Sequence, residues 1–147
     1  MLGVNEDVTE VIVLMPQATR TPIGLSRIGQ IAVPVHDLDR AVDFYRDALG
    51  MVFLFRVPNL AFFDCSGVRL MLSTPERPEL DHPGSIVYFT VDDLQTAFHV
   101  LSERGASFAD TPHLIAAMPD HDLWMAFLKD SEGNTLGLMS EVPKAAP

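Results

Sequence analysis

The sequence predicts an α+β fold in which two tandem β-α-β-β-β units form a cupped, eight-stranded mixed sheet with the helices outside. Three observations support this prediction: alternating apolar residues typical of half-buried strands, apolar stripes at helical spacing that follow aspartates, and recurrence of the same order in the second half of the chain. The length of 147 residues suits one domain, and a hydrophobic content of 48% is enough for its core.

The predicted domain spans residues 28–143 and follows an N-terminal extension, residues 1–27. Within the extension, residues 8–15 are predicted to form a short strand, and the prolines and glycine after it are typical of a linker. Such an extension could add an edge strand or clasp a second copy of the chain, because unpaired strand edges favour further pairing.

The first unit, residues 28–74, opens with a strand and a helix. Apolar side chains alternate over residues 30–35, which indicates a strand with one buried face. Asp37 is a suitable N-cap, the apolar residues after it recur at i, i+3, i+4 and i+7, and Gly50 ends this stripe. Short strands separated by turn residues are then predicted at residues 51–56, 60–65 and 68–73.

A proline-containing acidic loop leads to the second unit, residues 85–141, in which the same order returns. A strand over residues 86–91 precedes Asp93, the predicted N-cap of a helix that Gly105 ends. Further strands are predicted at residues 107–110, 123–129 and 135–140. The first of these could continue over residues 113–118.

The two units correspond residue by residue. At an offset of 56, Val35, Asp37, Leu38 and Ala41 correspond to Val91, Asp93, Leu94 and Ala97. At an offset of 66, Asp64, Gly67, Leu70 and Leu72 correspond to Asp130, Gly133, Leu136 and Leu138. Because the helix of each unit covers one face of its sheet, the remaining faces are free to form a concave surface suited to a ligand.

Composition excludes several classes of function. Ten Lys and Arg against twenty Asp and Glu give a net charge of −10, which argues against nucleic acid or an anionic membrane as a partner. The single cysteine, Cys65, rules out an intrachain disulfide framework and suits a reducing compartment. The first residues are acidic and their apolar run is short, unlike a signal peptide or membrane span, so we expect a cytoplasmic protein.

Residues 28–45 and 49–51 resemble the opening of a vicinal oxygen chelate domain, and residues 126–134 resemble its closing hairpin. This superfamily includes glyoxalases, bleomycin-resistance proteins and extradiol dioxygenases. The resemblance implies the two-unit fold, a small organic molecule as the ligand, and a homodimer that completes or lines the pocket. It does not select a reaction, because the superfamily spans isomerases, epimerases, dioxygenases, thiol transferases and drug-sequestering proteins.

Metal-dependent members of that superfamily place four ligands at positions that correspond here to Gln30, Met71, Ile86 and Gly137. Only Gln30 offers an oxygen to a hard cation, since Met71 is a soft ligand and the other two residues have no donor. One neutral ligand does not hold a divalent ion against water. We therefore predict that the usual metal site is absent and that no cofactor is bound.

Strand parity predicts which residues line the concave face and contact the ligand. Tyr88 and Trp124 could stack on a planar molecule, and Arg69 could bind a carboxylate or phosphate. The other predicted contacts are Gln30, Met71, Ile86 and Gly137. The same parity also assigns to this face Ala32, Ser73, Thr90, Ala126, Thr135 and Met139. It assigns to the core Ile31, Val33, Val35, Leu70, Leu72, Val87, Phe89, Val91, Leu136 and Leu138.

Two other functions stay open on the sequence alone. His113, His121 and Asp122 could hold a metal ion in a displaced site, which would make the protein a lyase, isomerase or dioxygenase-type enzyme. In the other alternative, side chains fill the concavity and the domain serves as a structural or regulatory partner-binding module. The sequence assigns no catalytic residue.

Overall fold

A computed structural model describes residues 23–145 of the chain. The first unit consists of four strands and a helix whose C-terminal part is π-helical. These elements are β1 (Gln30–Pro34), α1 (Leu38–Asp43, continued by the π-helical turn Phe44–Ala48), β2 (Val52–Val57), β3 (Leu60–Cys65) and β4 (Val68–Ser73). The strand predicted over residues 8–15 lies outside the described residues.

The second unit follows a loop that contains a short 3-10 turn, Pro78–Leu80. Its elements are β5 (Val87–Thr90), α2 (Leu94–Glu103), β6 (Ser107–Phe108), β7 (His113–Ala117), β8 (His121–Lys129) and β9 (Thr135–Pro143). Neither α1 nor α2, the α-helices within residues 23–145, is long and apolar enough to cross a membrane.

The predicted α+β class and order of elements are confirmed, with the strands divided between two sheets. The first sheet has the order β1-β4-β3-β2, and the second has the order β5-β9-β8-β6, with β7 also paired to β8. In each sheet the first strand of the unit runs parallel to the last one. Within residues 23–145 there are thus nine strands in two sheets, where eight in a single sheet were expected.

The additional strand arises because the strand after α2 is interrupted between β6 and β7. Both segments pair with β8, but at the interruption the backbone N–H of Phe127 donates to the Asp110 carboxylate, at 2.9 Å, instead of to a strand carbonyl. Pro112, just before β7, has no N–H to donate. A side chain and a proline therefore divide one predicted strand into two.

Both helices begin where the sequence predicts. The Asp37 carboxylate accepts a hydrogen bond from the N–H of Arg40, and the Asp93 carboxylate accepts one from the N–H of Thr96, each at 3.1 Å. Gly50, just after the π-helical turn, has a φ of +72°, which an L side chain adopts only with strain.

One hydrophobic core joins the two units. The sides of both sheets that face the helices contribute to it, and Tyr45 of the π-helical turn is fully buried in it. The Tyr45 hydroxyl donates to the buried carboxylate of Asp130 in the β8–β9 turn, at 2.7 Å. The predicted core residues in this cluster are Ile31, Val33, Val35, Leu70, Leu72, Val87, Phe89, Val91, Leu136 and Leu138.

The register of the β8–β9 hairpin corrects the predicted face of Trp124 and Ala126. Leu138 faces the core and pairs with Ala126, which places Ala126, and Trp124 two residues before it, on the helix-facing side. Phe127 takes the opposite side. The reason is the connection of five residues, 130–134, since the length of a hairpin loop decides which residues stand opposite each other.

Candidate functional site

The side of each sheet that faces away from the helices, here called its open face, carries most of the predicted ligand contacts. In the first sheet, Gln30 stands opposite Arg69 in register, and Met71 stands opposite Phe62. The amide nitrogen of Gln30 lies 3.6 Å from the sulfur of Met71. The structure therefore brings Gln30, Arg69 and Met71 together on one surface, as predicted.

Two phenylalanines extend this surface across the first sheet. The rings of Phe62 and Phe55 are stacked with their centroids 4.6 Å apart, and the guanidinium carbon of Arg69 lies 5.7 Å from the Phe62 ring centre. Phe62 is buried, whereas Phe55 is 46% exposed. The result is an apolar aromatic shelf with a cation at one end.

The open face of the second sheet is built around Gly137. Tyr88 and Phe127 flank Gly137 on neighbouring strands, and their rings make an edge-to-face contact with centroids 5.8 Å apart. A Cβ atom on Gly137 would lie 2.7 Å from Cδ2 of Tyr88, so the two rings close over this position only because no side chain is present. Tyr88 remains 45% exposed, which leaves its ring available to a ligand.

Ile86 lies just before β5, at the junction of the two units. It lines a cavity of about 270 Å³ between the end of β1 and the beginning of β9, together with Ala32, Pro34, Gly84 and Asn134. The side chain of Asn134 donates to the carbonyl of Pro34, at 3.1 Å, which ties the two units together beside this cavity. Ile86 is thus a lining residue of the junction and does not belong to the aromatic cluster of Tyr88.

Trp124 is separated from the other predicted contacts. On the helix-facing side it lines a different cavity, of about 440 Å³, with Leu94 at the start of α2 and with Ser140 and Val142 of β9. The predicted placement of Trp124 on the concave face is therefore wrong. Phe127, which has the opposite parity in β8, occupies the open face in its place.

Three aromatic residues of the open faces were not assigned to the site from the sequence. Phe53 faces the core whereas Phe55 lies on the open face, because the pairing of β2 with β3 shifts by one residue between them. The faces of Phe62 and Phe127 depend on how their strands align with the neighbouring strands, and this alignment depends on the hairpin geometry. For these two residues the sequence shows only the alternation of side chains within a single strand, which does not fix that alignment.

The residues at the four metal-ligand positions do not fit a divalent ion. Gln30 is the only oxygen donor among them, and its amide lies against the sulfur of Met71. At Gly137 the space of a ligand side chain is filled by the Tyr88 ring. Among residues 23–145, no three His, Cys, Asp or Glu side chains are grouped closely enough to hold a metal ion.

The side chains of the alternative, displaced site are engaged separately. His113 stands opposite Met125, three residues along β8 from Asp122, and the Nδ1 atom of His121 lies 2.8 Å from the Asp120 carboxylate. The hydrogen bond from His121 lowers the pKa of Asp120 below its usual value. The structure therefore does not bring His113, His121 and Asp122 together.

An ionic cluster beside the junction cavity was not anticipated from the sequence. The Nε2 atom of His36 lies 3.0 Å from both carboxylate oxygens of Asp81, and its Nδ1 atom lies 3.5 Å from Glu132. The hydrogen bond with Asp81 raises the pKa of His36 above its ordinary value. Glu132 also accepts hydrogen bonds from the backbone N–H groups of His36 and Asp37, so the cluster links the interunit loop, the start of α1 and the β8–β9 turn.

Comparison with known proteins gives one family and many similar structures. The profile of the Glyoxalase/Bleomycin resistance protein/Dioxygenase superfamily matches residues 27–138. TnmS3, an antibiotic binding protein from Streptomyces sp. CB03234, is 25% identical, with 83% of this chain and 99% of that chain covered and a TM-score of 0.64. A glyoxalase/bleomycin resistance protein/dioxygenase from Nocardioides is 24% identical, with coverages of 93% and 97% and a TM-score of 0.65. Lactoylglutathione lyase from Agrobacterium tumefaciens is 21% identical, with coverages of 80% and 95% and a TM-score of 0.62.

Proposed function

Since the chain belongs to the Glyoxalase/Bleomycin resistance protein/Dioxygenase superfamily, we propose that it binds a small planar organic molecule on its open sheet faces, without a metal ion at the superfamily's usual ligand positions. The observation that carries this proposal is the arrangement at Gly137. Where a metal ligand would stand, two aromatic rings meet edge to face and one of them is half exposed. Such a surface suits stacking with a planar molecule, and Gly137 itself has no side-chain atom to coordinate a cation.

The first sheet supports the same chemistry. Met71 and the stacked Phe62 and Phe55 supply apolar area, and Gln30 and Arg69 supply polar groups at its edge. A mostly apolar surface with few convergent polar groups is typical of small-molecule sites. The antibiotic-binding function of TnmS3, a similar structure, is consistent with this assignment.

The proposed binding form is a homodimer. Phe55, Ile86 and Tyr88 are each about half exposed in one chain, and apolar surface of this kind is usually covered by a ligand or a second protein surface. A second copy that brings its own open faces against these residues would enclose the ligand. Light scattering after size-exclusion chromatography should give twice the chain mass, and a monomer at micromolar concentration would contradict this part of the proposal.

The proposal also covers the location of the protein and the classes of partner that it does not bind. The single Cys65 and the net charge of −10 are consistent with a cytoplasmic protein that has neither nucleic acid nor membrane as a partner.

Binding of 2-naphthamide, a neutral planar probe, tests the proposed function. Calorimetric titration of the chain after treatment with EDTA should show binding, and Tyr88→Ala should weaken it about fivefold, because an aromatic contact contributes about 1 kcal/mol. Trp124→Phe, on the opposite side of the sheet, is the matched control and should leave the affinity unchanged.

The opposite results would point to another function. Loss of 2-naphthamide binding in EDTA with recovery in Zn²⁺, Ni²⁺, Mn²⁺ or Fe²⁺, or metal-dependent turnover of a glutathione hemithioacetal, would contradict the metal-free proposal. Equal weakening by Tyr88→Ala and Trp124→Phe would contradict the assignment of the open face.

A further inference from the structure

The aromatic shelf of Phe62 and Phe55 ends at Arg69, and the surroundings of this cation bear on the charge of the ligand. Nine of the ten Lys and Arg residues lie within residues 23–145. Seven of them make an ion pair or donate a side-chain hydrogen bond, and these are Arg40, Arg46, Arg56, Arg77, Arg104, Lys129 and Lys144. Within the same range, Arg27 and Arg69 do neither, and only Arg69 stands on an open face.

The nearest acidic residue in register does not neutralise Arg69. Asp64 stands directly opposite Arg69 on β3, where a cross-strand ion pair would be expected. Its carboxylate instead accepts a hydrogen bond from the backbone N–H of Gly67, at 3.2 Å, and makes no ion pair with the guanidinium. The guanidinium contacts the Phe62 ring, so its hydrogen-bond donors are free while its apolar surface is supported.

From this geometry, and resting on the proposed function, we infer that the ligand is a planar aromatic carboxylate whose anionic group binds Arg69. A guanidinium donates two parallel hydrogen bonds to a carboxylate, and this match is better than for a neutral acceptor. The stacked Phe62 and Phe55 lie beside the guanidinium, where the aromatic body attached to that carboxylate would rest. Because the chain carries a net charge of −10, an anion needs such a local cation to bind.

The test compares 2-naphthoate with 2-naphthamide, two probes of nearly equal shape that differ in charge. In calorimetric titrations the wild-type protein should bind 2-naphthoate at least about tenfold more tightly than 2-naphthamide. Arg69→Gln should weaken binding of 2-naphthoate more than binding of 2-naphthamide and so remove this preference, whereas Arg69→Lys should keep part of it. Arg27→Gln, at the other arginine without a partner in the described range, is the matched control and should change neither affinity.

The outcomes separate this inference from the proposed function. If the wild-type protein binds both probes equally, or if Arg69→Gln weakens both to the same extent, a planar ligand is still bound but Arg69 does not receive an anion. If the wild-type protein binds neither probe, the proposed function and this inference both fail. Because Arg69 is exposed, thermal unfolding of Arg69→Gln should match that of the wild-type protein, and a lowered melting temperature would show that Arg69 has a structural role instead.

Discussion

The last hairpin of each unit has a repeat-related aspartate at or near its turn, and the two aspartates lie in opposite environments. Asp64, the second-last residue of β3, is exposed and accepts one hydrogen bond, from the N–H of Gly67 in the β3–β4 turn. Asp130, between β8 and β9, is only 6% exposed and accepts hydrogen bonds from the Tyr45 hydroxyl, the backbone of Glu132, and both the backbone and side chain of Asn134. The same residue type thus closes a surface turn in one unit and joins the two units in the other.

The metal-ligand positions of the two units differ in the same way. Met71 in the first unit and Gly137 in the second occupy equivalent places in the repeat, yet one adds a flexible apolar side chain and the other leaves room for two rings. The core positions of both units remain apolar. The two units are therefore alike in the apolar residues that each sheet presents to the helices, and they differ in their turns and open faces.

The largest expected effect comes from removing the buried aspartate. Asp130→Ala should lower the free energy of unfolding by about 3 kcal/mol, because it leaves the Tyr45 hydroxyl and the turn amides without their acceptor in a buried place. Asp64→Ala, the repeat-related control, should cost less than about 1 kcal/mol. Urea unfolding followed by circular dichroism measures both values, and equal losses would contradict the difference drawn between the two turns.

A smaller effect is expected at the open face of the second sheet. Gly137→Ala should destabilise the protein by about 1–2 kcal/mol, since its Cβ forces Tyr88 away from Phe127. It should also weaken binding of 2-naphthamide by disrupting the pair of rings. Gly29→Ala is the control, because a Cβ there meets no atom within 4 Å, and a loss of stability as large as that of Gly137→Ala would contradict the close-approach argument.

The smallest expected effect is a change of melting temperature with pH, caused by His36 at the junction of the units. The repeat places Asp92 where the first unit has His36, so only the first unit has this titrating group. Because Asp81 and Glu132 raise the pKa of His36 above 6.5 in the folded protein, its contribution is fully present below pH 6.5 and is lost as pH rises through the raised pKa. Melting temperature should therefore decline over this range.

The variant His36→Gln isolates that contribution. It retains a polar side chain but cannot gain a proton. The wild-type protein should therefore melt at a higher temperature than the variant at about pH 6, and this difference should disappear as the pH rises to about 8. His82→Gln, on the same loop as Asp81, is a suitable control because His82 is bonded only to the adjacent Pro83 carbonyl in the described structure. A wild-type decline that persists in His36→Gln would assign the pH dependence to another group.

Much of the fold follows from local patterns in the sequence. The aspartate caps and the helical stripes after them determine where α1 and α2 begin, and the internal repeat determines the order of the strands. The additional strand of the second sheet was not predictable in this way. It depends on the interruption at Asp110, where a side chain replaces a backbone partner, and this is a tertiary contact.

For the candidate site, the sequence predicts which face a residue lies on only where alternation within its own strand decides this. Alternation placed Gln30 and Arg69 on a common face, because β1 and β4 are regular and parallel. For Trp124 the face depends on how β8 is aligned with β9, and the connection there is three residues longer than the two-residue turn between β3 and β4. The equivalence of the two units therefore breaks down at this hairpin, and alternation alone assigned Trp124 to the wrong side.

The interruption between β6 and β7 also bears on self-association through exposed backbone. A continuous outer strand beside β8 would offer a template on which another chain could extend the sheet. Here the edge is divided into segments of two and five residues, separated by a stretch with the charged side chain of Asp110 and with Pro112, which lacks a donor. An incoming strand would meet an interrupted ladder and a missing hydrogen bond at the middle of this edge. The second sheet is in this way protected against fibril-like growth along one of its sides.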